Sequence, residues 1–160
     1  MAKKAAGTPA TVLLGAENVA FTLHPYEVSP DAPNYGVLVA DALGVPPERV
    51  FKTLIAEVDG ALTVAVVPVI GDLDLKALAG AAGGKRGTLA DRAAAERSSG
   101  YVRGGISPLG QRKRLPTVVD NSALALDLMY VSAGRRGLQM SLAPVDLIRI
   151  TAATTAAIRT

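Results

Sequence analysis

The sequence predicts an α+β fold with a mixed, mostly antiparallel sheet, and three observations predict it. Two β-rich runs, Val50–Val58 and Ala61–Val69, flank Asp59-Gly60, a dipeptide suited to a two-residue hairpin whose central residues need positive φ. Runs of strand character outnumber helical ones and alternate with them irregularly, unlike the regular alternation of a parallel α/β chain. The 16 glycines and 10 prolines are spread along the chain as turn punctuation, which favours many short elements in one unit. No low-complexity linker and no fixed-period repeat divides residues 1–160, so one domain is expected over that length.

Taken in order, Thr8-Pro9 followed by Ala10–Ala16 predicts a capped first helix, with Pro where its missing N–H costs nothing. Val19–His24 alternates as a short strand. Gly36–Leu43, closed by Gly44, predicts a helix ended by a C′ glycine. Pro68 marks the frayed end or an edge of the second hairpin strand. Asp72 is expected to cap a helix running through Ala79, and Ala90–Ser98 reads as an alanine-rich helix. Thr117–Val119, Leu128–Val131 and Gly137–Leu142 are further strands. Pro144 opens a last helix with Val145, Ile148 and Ala152 expected toward the core, and its Thr-rich tail reads as weakly helical.

Composition narrows the function classes. The chain has 160 residues, 49% of them hydrophobic and 19% charged, which excludes a disordered protein. It has no cysteine, so a disulfide framework, a thiolate metal site and a catalytic thiol are excluded. Uncharged runs such as Gly60–Gly71 fall short of the roughly 18 residues of a membrane span. Lys3 and Lys4 are followed by Gly7, Thr8, Pro9 and Thr11, which interrupt any signal-like apolar stretch, so a cytoplasmic protein is expected. Net charge is only +3, but it is clustered at Lys85-Arg86, Arg112-Lys113-Arg114 and Arg135-Arg136. Such clusters are either solvated surface or a site for an anionic partner.

Four groups of residues can carry chemistry. Lys52 shares a strand face with Leu54 and Ala56, while Phe51, Thr53 and Ile55 form the other, so Lys52 borders apolar ground on either side. A lysine there either snorkels to water and pairs with a nearby carboxylate, or serves a function. The segment Gly100–Gly110 holds four glycines and a proline, and adjacent glycines allow close approach of backbone amides to a ligand. It lacks the ending of a nucleotide P-loop, and the basic run Arg112–Arg114 follows directly. His24, the only histidine, cannot form a histidine metal site and has no GxSxG partner, so it reads as structural. Tyr26 and Tyr35 flank a turn-rich stretch (Pro30, Asp31, Pro33), where a tyrosine packs or bonds a ligand.

These segments, in order, resemble the YbaK-type trans-editing family: free-standing Cys-tRNA(Pro) deacylases related to the editing domain of bacterial prolyl-tRNA synthetases. The matching stretches are His24-Pro25-Tyr26-Glu27, Asn34-Tyr35-Gly36, Val50-Phe51-Lys52-Thr53-Leu54, Leu73-Asp74-Leu75-Lys76 and Arg97-Ser98-Ser99-Gly100-Tyr101. Gly104 through Pro116, Tyr130-Val131-Ser132 and Arg136-Gly137-Leu138 complete the set, over about residues 8–150. The resemblance implies a mixed barrel-like sheet flanked by helices, with a pocket at one end. It implies hydrolysis of cysteine wrongly attached to proline tRNA, with no cofactor and no metal, and with tRNA and possibly prolyl-tRNA synthetase as partners. Carried over residue by residue, it places Tyr26, Tyr35, Lys52, Thr53, Gly104 and Ser132 in the pocket. Gln139 stands where some members carry an acidic residue.

With no nucleophile in this inventory, the implied route is substrate-assisted: the cysteine thiol attacks its own ester carbonyl. Lys52 would favour the thiolate or hold the terminal ribose, the amides of Gly104 and Gly105 would receive the oxyanion, and Arg112, Lys113 and Arg114 would bind tRNA. Two alternatives stay open at this point: a deacylase for another small amino acid, and a non-catalytic tRNA- or synthetase-binding module.

Overall fold

The computed structural model describes residues 7–29 and 31–160; Lys3, Lys4 and Pro30 lie outside the described residues. The chain opens with helix α1 (Pro9–Ala16), whose Thr8 cap accepts from the Thr11 N–H (3.2 Å) while the Thr11 hydroxyl accepts from the Thr8 N–H (2.8 Å). The Thr8 hydroxyl also donates to the Ala133 carbonyl, tying α1 to the strand that carries it. Strand β1 (Thr22–Pro25) and helix α2 (Tyr35–Leu43) follow, and Gly44 ends α2 at φ +71°. Strands β2 (Phe51–Val58) and β3 (Ala61–Pro68) form the hairpin, with Asp59 and Gly60 at φ +50° and +84° as a type I′ turn requires.

Helix α3 (Leu75–Ala81) is capped by Asp74, whose carboxylate accepts from the Ala77 N–H (3.0 Å); the expected cap, Asp72, lies two residues upstream. A short strand with no expectation behind it, β4 (Gly87–Leu89), precedes α4 (Arg92–Ser99), which Asp91 caps and Gly100 closes. The remaining elements are β5 (Thr117–Asp120), β6 (Met129–Arg135), β7 (Leu138–Leu142), α5 (Pro144–Thr151) and β8 (Thr154–Ala156). In α5 Pro144 and Leu147 are buried and Ile148 packs against the core as expected, whereas Val145 is 68% exposed and Ala152 ends the helix at φ +54°. The Thr-rich tail is strand β8, parallel to β5, because threonine suits a sheet edge better than a helix.

Ladder pairing gives two sheets. One is five-stranded and mixed, in the order β4-β2-β3-β5-β8; the other is three-stranded and antiparallel, β1-β7-β6. Among the described residues a lone parallel bridge, Val50 to Tyr130, joins their ladders, so hydrogen bonding there does not close the barrel-like sheet that the resemblance implies. The larger apolar core fills the space between them, around Leu14, Phe51, Ile55, Val131, Met140 and Leu147. A second core covers the far face of β2 and β3 with Leu78, Ala79 and Ile158. Both faces of β2 are therefore covered, which is why its sequence reads apolar on either side. No described helix is long and apolar enough to cross a membrane.

The second core depends on one carboxylate. Asp120, 3% exposed, accepts from the Ile158 (3.0 Å), Arg159 (3.1 Å) and Ser122 (3.2 Å) N–H groups, holding the C-terminal strand against β5. Residue Thr160 in turn pairs with the Asp72 backbone (2.8 Å), so the tail braces the loop beside Lys52. Asp120→Ala leaves buried amides unbonded, and denaturant unfolding should register a loss of about 2–3 kcal/mol. An unchanged midpoint would show that the tail is not held this way.

Candidate active site

Strand β2 is paired unequally on its two edges. β3 covers all of Phe51–Val58, but β4 pairs only with Ala56, Glu57 and Val58. The Val69 N–H donates to the Val50 carbonyl (2.8 Å), which sets the ladder phase: Lys52 and Leu54 point their backbone groups at β3, Thr53 and Ile55 away from it. Ile55 finds the Ala90 N–H (3.0 Å). Thr53 turns its N–H and C=O toward the uncovered edge. Beyond the Val50–Tyr130 bridge, β2 and β6 stop pairing, and a cavity of about 440 Å³ lies between them. That size is within the roughly 300–1,000 Å³ of small-molecule sites.

The cavity is lined by six of the residues singled out above: Tyr35, Lys52, Thr53, Gly104, Ser132 and Gln139. Ser132 and Gln139 are cross-strand partners on β6 and β7, with a bulge after Ser132, whose hydroxyl accepts from the Gly134 N–H (3.1 Å). Thr53 and Gln139 are 9% and 6% exposed, yet among the described residues neither the Thr53 hydroxyl nor the Gln139 side-chain carbonyl has a hydrogen-bond partner. Buried polar atoms are seldom left so, and two in one cavity mark a place where a ligand supplies the missing bonds. Both are uncharged polar groups set in a lining that is otherwise mostly apolar, with Phe51, Ile55 and Ile106 around them.

Lys52 reaches the cavity from the same strand. Its ammonium lies 3.5 Å from the Gly71 carbonyl and 4.0 Å from the Asp72 carboxylate, with its side chain 34% exposed and that of Asp72 87% exposed. A pair so open to water binds the lysine weakly, so the ammonium is free to face a substrate. Tyr35 donates to or accepts from the Tyr26 hydroxyl (2.6 Å), and burial together with that bond raises the Tyr35 pKa well above the ordinary phenol range. Tyr35 thus stays a neutral donor. Tyr26, bonded through its N–H to the Gly137 carbonyl (3.0 Å), does not line the cavity but supports Tyr35 from behind. His24 also lies off the cavity, bonded to the Ser141 hydroxyl (2.8 Å); burial lowers its pKa and keeps it neutral.

The glycine loop divides. Val102–Gly105 is a tight turn with Gly104 at φ +87°, as its third position requires, and the Gly105 N–H is spent on the Val102 carbonyl (2.9 Å). Gly105 packs under Arg135 rather than lining the cavity, so the oxyanion role expected of its amide has no support here, and Gly104 alone remains. Ser107 and Leu109 are fully buried, and the Tyr101 hydroxyl donates to the Leu109 carbonyl (2.6 Å), so this part of the loop is packing. Arg112–Arg114 does not line the cavity with Gly104; Arg112 packs against Gly100 instead. The Arg112 and Lys113 amides bond the Ser99 and Ser98 carbonyls at the far end of α4, and Lys113 and Arg114 line a separate hollow of about 230 Å³.

Three charged residues at the cavity were not singled out from sequence: Arg92, Glu96 and Arg103. The Glu96 carboxylate accepts from the Arg103 N–H (2.9 Å) and the Arg92 guanidinium (3.2 Å), tying the glycine turn to α4. The signal was present as an i,i+4 Arg–Glu pair one turn before the loop. The Arg103 amide bond first, and Arg92 second, hold the Glu96 pKa below the ordinary carboxylate range. A lowered folded-state value means that the tie is intact above the unfolded pKa and lost as pH falls through the folded one. The amide resonance of Arg103 should therefore titrate with a midpoint below about 4.3, and Glu96→Gln should abolish that titration. A midpoint at or above the free-glutamate value would mean that the tie does not exist.

Comparison with known proteins places this geometry. Residues 30–150 match the family described as the aminoacyl-tRNA editing domain. A relative from Enterococcus faecalis, 41% identical over 116 residues covering 71% of this chain and 70% of its own, carries the name Cys-tRNA(Pro)/Cys-tRNA(Cys) deacylase EbsC. Among solved structures, one described as a trans-editing enzyme for prolyl-tRNA synthetase superposes with a TM-score of 0.81 at 20% identity, covering 96% of this chain and 98% of its own. The hypothetical protein APE2540 superposes at 0.84 with 23% identity, covering 96% and 100%. At those identities the structures speak for the fold, while the sequence match over most of the chain speaks for the family. The chain belongs to the aminoacyl-tRNA editing domain family.

Proposed function

We propose that this protein removes cysteine wrongly attached to proline tRNA, by hydrolysing the aminoacyl ester in the cavity between β2 and β6. The observation that carries the reading is a cavity whose floor is two unbonded neutral polar groups, Thr53 and Gln139, and whose side is the Lys52 ammonium. The name of the Enterococcus faecalis relative supports the same substrate. Cysteine and proline are close in size, and a synthetase pocket separates such near-isosteres by only about 10- to 200-fold per small group, so a second hydrolytic sieve is needed.

The chain has no cysteine, and no histidine lines the cavity to activate the Thr53 or Ser132 hydroxyl, so in this reading the nucleophile comes from the substrate. The cysteine sulfur attacks its own carbonyl carbon, the C–S bond forms, and the ester C–O bond to the ribose breaks. The thiol proton ends on the ribose hydroxyl, and water then opens the thiolactone to free cysteine. A free thiol has a pKa of about 8.5, so an adjacent ammonium increases the small thiolate fraction at neutral pH. Gly104 and Tyr35 are donors for the developing oxyanion, and Thr53, Ser132 and Gln139 hold the amine. Arg112–Arg114 serves the body of the tRNA, and contact with prolyl-tRNA synthetase belongs to the same proposal.

Lys52→Ala should lower deacylation of cysteinyl-tRNA(Pro) by about 100-fold or more while the fold survives; near-normal turnover would remove Lys52 from the mechanism. In a panel of mischarged tRNAs, the seryl ester should react far more slowly than the cysteinyl ester, because a hydroxyl ionises far less readily than a thiol. Equal rates would point to an activated water, preference for alanyl or seryl esters to a different editing substrate, and no turnover of any ester to a binding module.

A further inference from the structure

Three cations line the cavity, Lys52, Arg92 and Arg103, against one carboxylate, Glu96, among the described residues. Glu96 is committed: one of its oxygens takes both the Arg103 N–H and the Arg92 guanidinium. The Arg103 guanidinium itself has no hydrogen-bond or ion-pair partner among the described residues, although its backbone is held at both ends. Its N–H goes to Glu96 and its carbonyl accepts from the Arg136 guanidinium (2.8 Å). A side chain left unpaired on a turn fixed from two sides is presented rather than merely exposed. Leu89 lines the same cavity and is 57% exposed, and Val102, the residue before Arg103, is 53% exposed. An arginine next to uncovered apolar surface suits a nucleotide better than an inorganic anion.

Helix α4 adds direction. Arg92 is at its start, at the cavity, and the Ser98 and Ser99 carbonyls near its end hold the Arg112–Lys113 backbone. Seven residue steps of helix run from Arg92 to Ser99, about 10 Å at 1.5 Å per step, a span that two or so nucleotides of single strand cover.

We propose that Arg103, with Arg92 beside it, forms a phosphodiester subsite at the cavity mouth, gripping the backbone of a single-stranded 3′ end that runs along α4 from the Arg112–Arg114 cluster. This rests on reading the cavity as an aminoacyl-ester site, and names the residues that deliver the ester to it. The subsite acts on binding, not on bond breaking. It also gives Glu96 a second consequence, since the carboxylate that fixes the Gly104 turn is the one that aims Arg103.

The test compares two esters of cysteine, one on full-length tRNA and one on adenosine, which carries no phosphate. Arg103→Ala should raise KM for cysteinyl-tRNA about tenfold with little change in kcat, and reduce the preference for the tRNA ester over the adenosine ester about tenfold. Binding of uncharged tRNA, titrated with KCl, should lose about 0.7 from its log–log salt slope, and Arg103→Lys should restore most of it. Equal losses on both esters, or an unchanged salt slope, overturn the proposal, as does inorganic phosphate competing as well as tRNA. Should the wild-type protein cleave neither ester, the deacylase reading fails, while the salt titration still decides the subsite.

Discussion

Pairing on one side of β2 runs the length of the strand, and on the other it covers only the last three residues. A strand edge left without partners inside a protein is costly, because its N–H and C=O groups lose water without gaining bonds. Here the gap is kept open by neighbours on either side. Val50 and Tyr130 bridge once and diverge, β4 ends at Leu89, and the Glu96-anchored turn closes the mouth. The cavity is the space those three features leave, and Thr53 reaches it with backbone and side chain alike.

Its electrostatics follow from the same arrangement. The floor is neutral: Gln139 offers an amide, Thr53 and Ser132 hydroxyls, and Tyr35 a phenol that burial keeps protonated. The Lys52 ammonium is partly open to water, held by the Gly71 carbonyl and the exposed Asp72 carboxylate. In the proposed reaction a neutral acceptor at Gln139 would accept from the substrate ammonium without forming an ion pair, so product could leave at little cost. A carboxylate in its place would bind the amine more tightly.

Much of this was legible in the chain. The hairpin at Asp59-Gly60, the first helix behind Thr8-Pro9 and the glycine stop at Gly44 each depend on local chemistry, and local chemistry is what a sequence displays. Lys52 and Thr53 were legible as neighbours on opposite faces of a strand; that both reach one cavity came only from the family resemblance, because it depends on β4 being short. The Thr-rich tail became a strand through pairing with β5, a partner some 35 residues away, which no window of sequence contains. The basic run at Arg112–Arg114 follows the Gly104 turn closely in the chain, yet Lys113 and Arg114 line a separate hollow, because the buried Ser107 and Leu109 carry the loop away from the cavity. Arg103 sat inside the glycine-rich segment, but its significance lies in what Glu96 and Arg136 do to its backbone.

The account stands on the aminoacyl group lying between Thr53 and Gln139 with Lys52 beside it. The most direct measurement is a crystal structure with a non-hydrolysable amide analogue of cysteinyl-adenosine. The account predicts the cysteine moiety against the Thr53 hydroxyl and the Gln139 carbonyl, with the Lys52 ammonium moved off Asp72 to within hydrogen-bonding reach of the sulfur or the ribose. An analogue seated in the hollow by Lys113 and Arg114, or one that leaves Thr53 and Gln139 unbonded, would contradict it.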